Sequence, residues 1–470
     1  MKKIALIVLG IVLLGGIGFA LWWVNERERE VDIPKESFIP YNSAVVINAN
    51  ADLLPKVATA FDREIKAFRK SMLSRVVDTL KQASQVDTSS YVMAIRVEGK
   101  QSIRFLYVLN RSGLFSRGDV HAFLQKMFAG VQVKERKYNN QKIYLASRGK
   151  DEVCYAVVGG MVLVSNSELY VEDAVNQLSN PNEDEKDGAP RFKNVNRYFS
   201  AGAGLNVFLN TTCFSDLLPL LLQKDFIAKQ TNIAKWFKWG ALDGEIKPSG
   251  VSFNGFVHYD GLKAAFPVAF KGQLPQDSKL DAVMPADVKS VSILALSDVK
   301  NYLASLETYR YGAGQIENVR KRKQEFARLF GDKLDEEWQA LLKGEWGKGT
   351  LSYDASRKQE EGIVVVHVKA GSLARGLLEK MLKSYASKSG ISETSLYRSF
   401  ALDKDKKVSY FKMPVPDFAG VMWGYVLGGI ATNYVLVEDN YVVFSSSERG
   451  LQVFASDYMR RLSVRDQEWY

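Results

Sequence analysis

The sequence predicts an α+β protein: an N-terminal transmembrane helix, then a unit of antiparallel sheet covered by helices that is used twice as two lobes, with a half unit between them. Three observations predict this. Residues Ile4 to Val24 form an uninterrupted stretch without charge. Alternating strand patterns and helical stripes then follow one another in the same order twice. Two similar passages, VLVSNSELYVEDA at 162–174 and VVFSSSERGLQVFA at 442–455, close the two copies.

The anchor comes first. Twenty-one uncharged residues rising about 1.5 Å each span roughly 30 Å, the thickness of a bilayer's hydrocarbon core. The stretch ends in Leu21, Trp22, Trp23 and Val24 rather than in the small residues of a cleavage site, which points to an uncleaved anchor. Lys2 and Lys3 have no acidic neighbours, whereas Arg27 and Arg29 are interleaved with Glu26, Glu28 and Glu30. That asymmetry puts the N-terminus in the cytoplasm and the bulk of the chain in the periplasm. Residues 1–30 are therefore read as cytoplasmic tip and anchor, and the inner membrane is a partner through residues 4–24.

The remaining chain is rich enough in apolar side chains, 46% hydrophobic and 11% aromatic overall, to bury sizeable cores in two or three domains. With only Cys154 and Cys213 it is no disulfide framework; a bond between them and two separately buried thiols both remain open. The net charge of +10 suits an anionic surface such as lipid headgroups or cell-wall polymer, and is also ordinary for an envelope protein. The sharpest basic run is Arg320, Lys321, Arg322 and Lys323 in ENVRKRKQEFARLF. Ile316, Val319, Phe326, Leu329 and Phe330 make that segment an amphipathic helix, so the run is either an anion contact or a solvated helix face. Basic residues are dispersed elsewhere, which argues against nucleic acid as a partner.

The repeat shows in the order of features. IPYNSAVVINANADLLPKVATAF from Ile39 and MPADVKSVSILALSDVKNYLASL from Met284 each give a proline, an alternating strand and a helix, the helices carrying Leu53, Val57 and Phe61 or Val299, Tyr302, Leu303 and Leu306. Hairpins follow at 92–110 and 349–371, then helices whose cores FLQKMF (123–128) and LLEKML (377–382) nearly superimpose, then the strands QKIYLAS (141–147) and KVSYFKM (407–413). This alignment sets His367 against Tyr107. The units span 36–180 and 280–462. A looser strand, helix and hairpin from Leu205 form the half unit, 189–275, after the acidic linker NPNEDEKDGAP at 180–190. Hairpins favour antiparallel sheets, and the amphipathic helices are expected to cover one face of each.

The anchor, Ile39-Pro-Tyr-Asn-Ser-Ala-Val-Val, Met284-Pro-Ala-Asp-Val and the helix starts Asp52-Leu53 and Asp298-Val299 together resemble a large family of uncharacterised bacterial single-anchor envelope proteins, the domain-of-unknown-function (three-three-five-two) class. The likeness covers most of the chain. It implies a location in the cell envelope and carries no activity or catalytic residue with it.

Motifs for catalysis do not occur: there is no H-E-x-x-H, G-x-S-x-G, Walker loop, G-x-G-x-x-G or C-x-x-C. His121 in a helix and His258 and His367 in hairpin strands are far apart in sequence, and His367 is read as a packing residue, so neither a metal nor a cofactor is expected. Ser297-Asp-Val-Lys300 has S-x-x-K spacing, but the later Lys348-Gly-Thr is in the wrong order for a penicillin-recognising enzyme. Ser297 is instead expected to cap the helix it precedes. Likewise Ser165-Asn-Ser-Glu168 and Ser445-Ser-Ser-Glu448 read as capping boxes, with Ser165 and Ser445 as N-caps and the glutamates three residues on.

The function expected is non-enzymatic: an anchored periplasmic scaffold or a module that docks on an envelope protein or the cell wall. Its contact surface is sought in MPVPDFAGVMWGYVLGGIA (413–431), with Phe418, Trp423 and Tyr425, whose other possible fate is a buried connection between lobes. The alternative is a carrier or sensor of lipid or another apolar ligand held between sheet and helices. An enzyme with a site assembled from scattered residues is the third reading.

Overall fold

The computed structural model describes residues 33–49, 72–179, 192–221 and 237–470, apart from gaps of one to five residues inside those stretches. The anchor, the helix expected from Leu53 to Phe61 and the acidic linker lie outside the described residues. No helix among the described residues is long and apolar enough to cross a membrane.

The chain forms two compact units, Met1–Tyr259 and Asp260–Tyr470. In the first, β1 (Val45–Ala49), β2 (Val86–Glu98), β3 (Ser102–Arg111), β4 (Gln132–Tyr138), β5 (Gln141–Arg148), β6 (Asp151–Val158) and β7 (Met161–Ser165) take the order β1-β2-β3-β7-β6-β5-β4. The half unit adds β8 (Leu205–Asn210), β9 (Trp239–Lys247) and β10 (Gly250–His258) on the far side of β1, making ten strands. In the second unit β11 (Ser290–Ala295), β12 (Leu342–Asp354), β13 (Gln359–Val368), β14 (Tyr397–Ala401), β15 (Lys407–Lys412), β16 (Tyr434–Glu438) and β17 (Tyr441–Ser445) take the order β11-β12-β13-β17-β16-β15-β14. Seven strands thus repeat in the same spatial order, all paired antiparallel. Tight turns set the registers: Asn139 and Asn140, at φ 44° and 61°, join β4 to β5 with the left-handed backbone that a two-residue hairpin requires and asparagine tolerates.

Helices were expected on one face of each sheet; they lie on both. In the first unit α1 (Met72–Gln82) and α2 (Arg117–Met127) pack Leu73, Val77, Leu80 and Leu124 against Tyr91, Tyr107, Tyr155 and Val164. On the opposite face α3 (Glu168–Ser179) packs Tyr170, Val171 and Ala174 against Val92, Leu106 and Leu163. The half unit contributes α4 (Thr211–Leu221). In the second unit one face carries α5 (Val299–Gly312), α6 (Ile316–Phe330), α7 (Leu334–Leu341), α8 (Gly371–Ser389) and α9 (Phe418–Trp423), and the other α10 (Glu448–Arg460). The cause is visible in the central strands. MVLVS in β7 and YVVFS in β17 are apolar in consecutive positions, and nearly every residue is buried, so neither face tolerates water. Phe266–Phe270, placed by sequence in the half unit, belongs to the second unit, where Ala269 is fully buried beneath Phe266 and Phe270.

The segment 413–431 is core rather than surface. Phe418 and Trp423 are 0% and 1% exposed. Trp423 meets Trp338 edge to face at 5.4 Å and Phe418 at 5.7 Å, with Phe444 at 5.9 Å, and Tyr302 Oη donates to its carbonyl at 3.3 Å. Large aromatics of this kind bury more area than any other side chain and favour such edge contacts. Only Tyr425 of the three candidates is exposed. Trp423→Ala should therefore cost about 3–5 kcal/mol, read as a lower midpoint in urea denaturation; a change below about 1 kcal/mol would contradict the core assignment.

Candidate functional site

The repeated serines are the polar feature common to both units. Ser165 Oγ donates to Phe105 O at 2.7 Å and accepts from Ser167 N–H at 3.0 Å. Ser445 Oγ donates to Gly362 O at 2.9 Å and accepts from Ser447 N–H at 3.2 Å. Each first serine thus ties the end of a central strand to its neighbour and to the turn that follows. Capping falls two residues later than expected. Ser167 Oγ accepts from Tyr170 N–H at 3.2 Å, and Ser447 Oγ from Gly450 N–H at 3.0 Å. Glu168 and Glu448 are consequently first helical residues, where they favour the helix dipole, and do not close a capping box.

Both capping hydroxyls also donate to a carboxylate: Ser167 to Glu98 at 2.6 Å and Ser447 to Glu361. The two glutamates are not equivalent in sequence, since Glu98 ends β2 and Glu361 lies on β13. Around Glu98 stand Arg96, almost wholly buried, and Arg104, whose Nε is 3.2 Å away. The Arg96 guanidinium lies 4.1 Å above the Tyr170 ring, and Tyr170 Oη shares a hydrogen bond with Ser43 Oγ at 2.9 Å. Burial alone would raise the Glu98 carboxyl, but hydrogen bonds from Ser167 and Arg96 and the charges of Arg96 and Arg104 hold it below its usual range. An ionised acceptor encircled by donors fixes α3 to β2; the serine protons are committed to carbonyl and carboxylate oxygens. The cluster is a clamp.

The other polar candidates are likewise engaged. His121 stacks on Tyr144 at 4.1 Å, His258 on Trp239 at 5.1 Å, and His367 faces Tyr441 at 4.9 Å. Strand pairing sets His367 level with Asn110, three residues from Tyr107: Leu106 pairs with Ser165 as Ile363 pairs with Ser445. Asp298, not Ser297, caps α5, accepting from Asn301 N–H at 2.9 Å, while Ser297 Oγ bonds Gln273 and Leu274. Cys154 and Cys213 are free thiols, and burial pushes both up.

In the basic run, Arg322 grips Asp417 through two bonds of 2.7 and 2.8 Å and reaches Glu325, fastening α6 to the start of α9. Lys323 pairs with Asp335 at 3.0 Å and Arg320 with Glu317 at 3.2 Å; Lys321 points to solvent. Half of the run therefore holds helices together. A cleft of about 550 Å³ opens beside the start of α8, lined by His367, Lys369, Gly371, Asp439 and Tyr441. There the Gly371 amide donates to Asn440 Oδ1 at 3.0 Å, and Tyr458 Oη donates to Asp439 at 2.6 Å.

The apolar surface sought in 413–431 is found instead on β10. Phe253, Phe256 and Val257 are 48%, 63% and 47% exposed, on the last strand of the ten-stranded sheet. Phe256 pairs with Ala241, and Phe253 with Gly244, so the rings lie on opposite faces. The signal available in sequence was apolar residues of both parities in VSFNGFVH, a pattern shared with buried strands.

No family model matches the chain, and no curated protein matches it. Among solved structures, crystal form III of TP0453 aligns over 52% of this chain and 90% of that chain, at 9% identity and a TM-score of 0.30.

Two outcomes test the clamp. Ser445→Ala should cost about 1–3 kcal/mol by stranding the Ser447 amide, and Ser447→Ala about 1 kcal/mol through the lost cap; a silent Ser447→Ala in denaturation would restore the capping box. Because the Glu98 carboxyl is held low, its stabilisation is complete above its unfolded pKa and is lost as pH falls through the folded value. The unfolding free energy of the first unit should thus drop below about pH 4.5, and Glu98→Gln should flatten that drop.

Proposed function

We propose that this chain is a membrane-anchored, periplasmic protein of non-enzymatic role, a docking module whose contact surface is β10. The observation that carries the reading is an edge strand that, among the described residues, pairs only with β9 and holds Phe253, Phe256 and Val257 exposed. A terminal strand offers a row of backbone donors and acceptors, and natural proteins usually protect it with charge, proline or a covering element. Residues 252–258 are exposed on both faces and contain no Lys, Arg, Asp, Glu or Pro. An extended, apolar segment of another envelope protein fits this edge: main-chain bonds supply affinity, and the exposed rings select alternate side chains. An anchor at residues 4–24 would tether the chain to the membrane that holds such partners.

The test is a photo-crosslinking residue at position 257 in the full chain in native membranes. A single dominant adduct is expected, weakened at least about tenfold by Phe256→Asp because a buried unpaired charge opposes docking, and absent when the probe sits at exposed Leu373 on α8. Equal labelling from 257 and 373, or a body reached by protease only from the cytoplasmic side, would contradict the reading.

A further inference from the structure

The first unit shows what covers the first strand of a unit. β1 has β2 on one side and β8 on the other, running antiparallel from Val45 opposite Leu209 to Ala49 opposite Leu205. β8 opens the half unit as β1 opens the unit, so this junction joins two opening strands.

β11 stands where β1 stands. Across the first sheet Val46 pairs with Ala94, Ala94 with Leu106 and Leu106 with Ser165. Across the second, Val291 pairs with Gly349, Gly349 with Ile363 and Ile363 with Ser445. Even the entry is the same: the Ala44 amide donates to Ile95 O at 2.8 Å, and the Lys289 amide to Thr350 O at 2.7 Å. Yet among the described residues β11 has a strand on one side only. The difference is registered in exposure, because Val46 is 0% exposed while Val291 is half-buried and Ser290 and Ser292 are exposed.

We infer that a second copy of this chain completes the second sheet, with β11 pairing antiparallel against the partner's β11 about a two-fold axis. An opening strand already pairs with an opening strand in this molecule, and a two-fold antiparallel pair makes one sequence its own complement. The backbone is turned the right way. Leu296 N–H donates to Gly344 O at 2.8 Å, and ladder bonds alternate, so Ser290, Ser292 and Leu294 bond β12 while Val291 and Ile293 aim their backbone groups outward. Val46 and Asn48 hold the corresponding places on β1 and meet β8. Ser290, Val291, Ser292 and Ile293 are uncharged, so self-pairing opposes no like charges. The far end of the strand is taken: the chain from Ala269 to Leu280 crosses from one face of the sheet to the other, with Gln273 bonded to Ser297 and Asp298, and Ser278 to Glu345. The two-fold axis therefore passes at Ser292. This edge lies in the other unit from β10, and the inference does not depend on what β10 binds.

The experiment uses the full chain in native membranes and in detergent. Ser292 is a non-hydrogen-bonded position toward the new strand, where facing Cα atoms approach to about 4.5 Å, within disulfide range. Ser292→Cys should give an oxidant-dependent homodimer, and wild-type protein should sediment as a dimer. Val291→Pro removes one outward amide and spares the β12 ladder, a place where edge strands accept proline; it should yield folded monomer. Should that variant unfold, Ser292→Glu on the exposed face sets like charges opposite each other and should weaken the dimer by up to about fivefold. Sedimentation as a monomer, a Ser292→Cys adduct with another protein in place of a homodimer, or dimers indifferent to Ser292→Glu would overturn the inference. Phe256→Asp should leave the dimer unchanged, so failure of the β10 reading and failure of this one are separate results.

Discussion

Burial of the central strands on both sides is the constraint from which the rest of this structure follows. Val442, Val443 and Phe444 in β17, like Val162, Leu163 and Val164 in β7, are consecutive and fully buried. A strand that alternates apolar and polar residues asks for one covering layer; these ask for two. Hence helices lie on both faces of each unit, and the tryptophan cluster around Trp423 and the tyrosine cluster around Tyr155 fill the space beneath them. With the central strands covered on both faces, exposed strand residues are found toward the sheet edges, as in β10 and β11.

The same burial explains the serines. Each central strand ends where the chain must leave the sheet and begin a helix, and its last backbone groups would be buried without partners. Ser165 and Ser445 meet that need, bonding a neighbouring carbonyl and an amide two residues on, and the next serine caps the helix. The carboxylates that brace the caps come from different strands in the two units. A hydrogen bond can be preserved through duplication while the residue supplying it changes place.

That history sets what was legible in the sequence. The α+β class, the antiparallel plan and the repeated order of features could be read because strand and helix periodicity and the closing punctuation are local. The caps were misplaced by one or two residues, since whether a serine caps a helix or bonds a strand depends on the neighbour opposite it, Phe105 for Ser165 and Gly362 for Ser445. His367 was set against Tyr107 in place of Asn110 because the two hairpin loops differ in length. For Phe418 and Trp423 the sequence leaves a contact surface and a buried connection both open, and it does not single out Phe253 and Phe256 at all; apolar character alone does not tell an interior from an edge. For Arg322 and Lys323 the sequence offers an anion contact or a solvated helix face and not an inter-helix tie, because Asp417 and Asp335, which hold them, are distant in sequence or on another helix.

Amide hydrogen exchange of the full chain, compared between native membranes and purified protein in detergent at low concentration, tests most directly whether the edges are the working surfaces. Protection gained in the membrane at 252–258 and 290–293, with exchange unaltered around the α8 cleft and over the helices, is the expected result. Protection gained at His367, Lys369 and Gly371, or across α6, with both edge strands unchanged, would place function on a face or a cleft and contradict it.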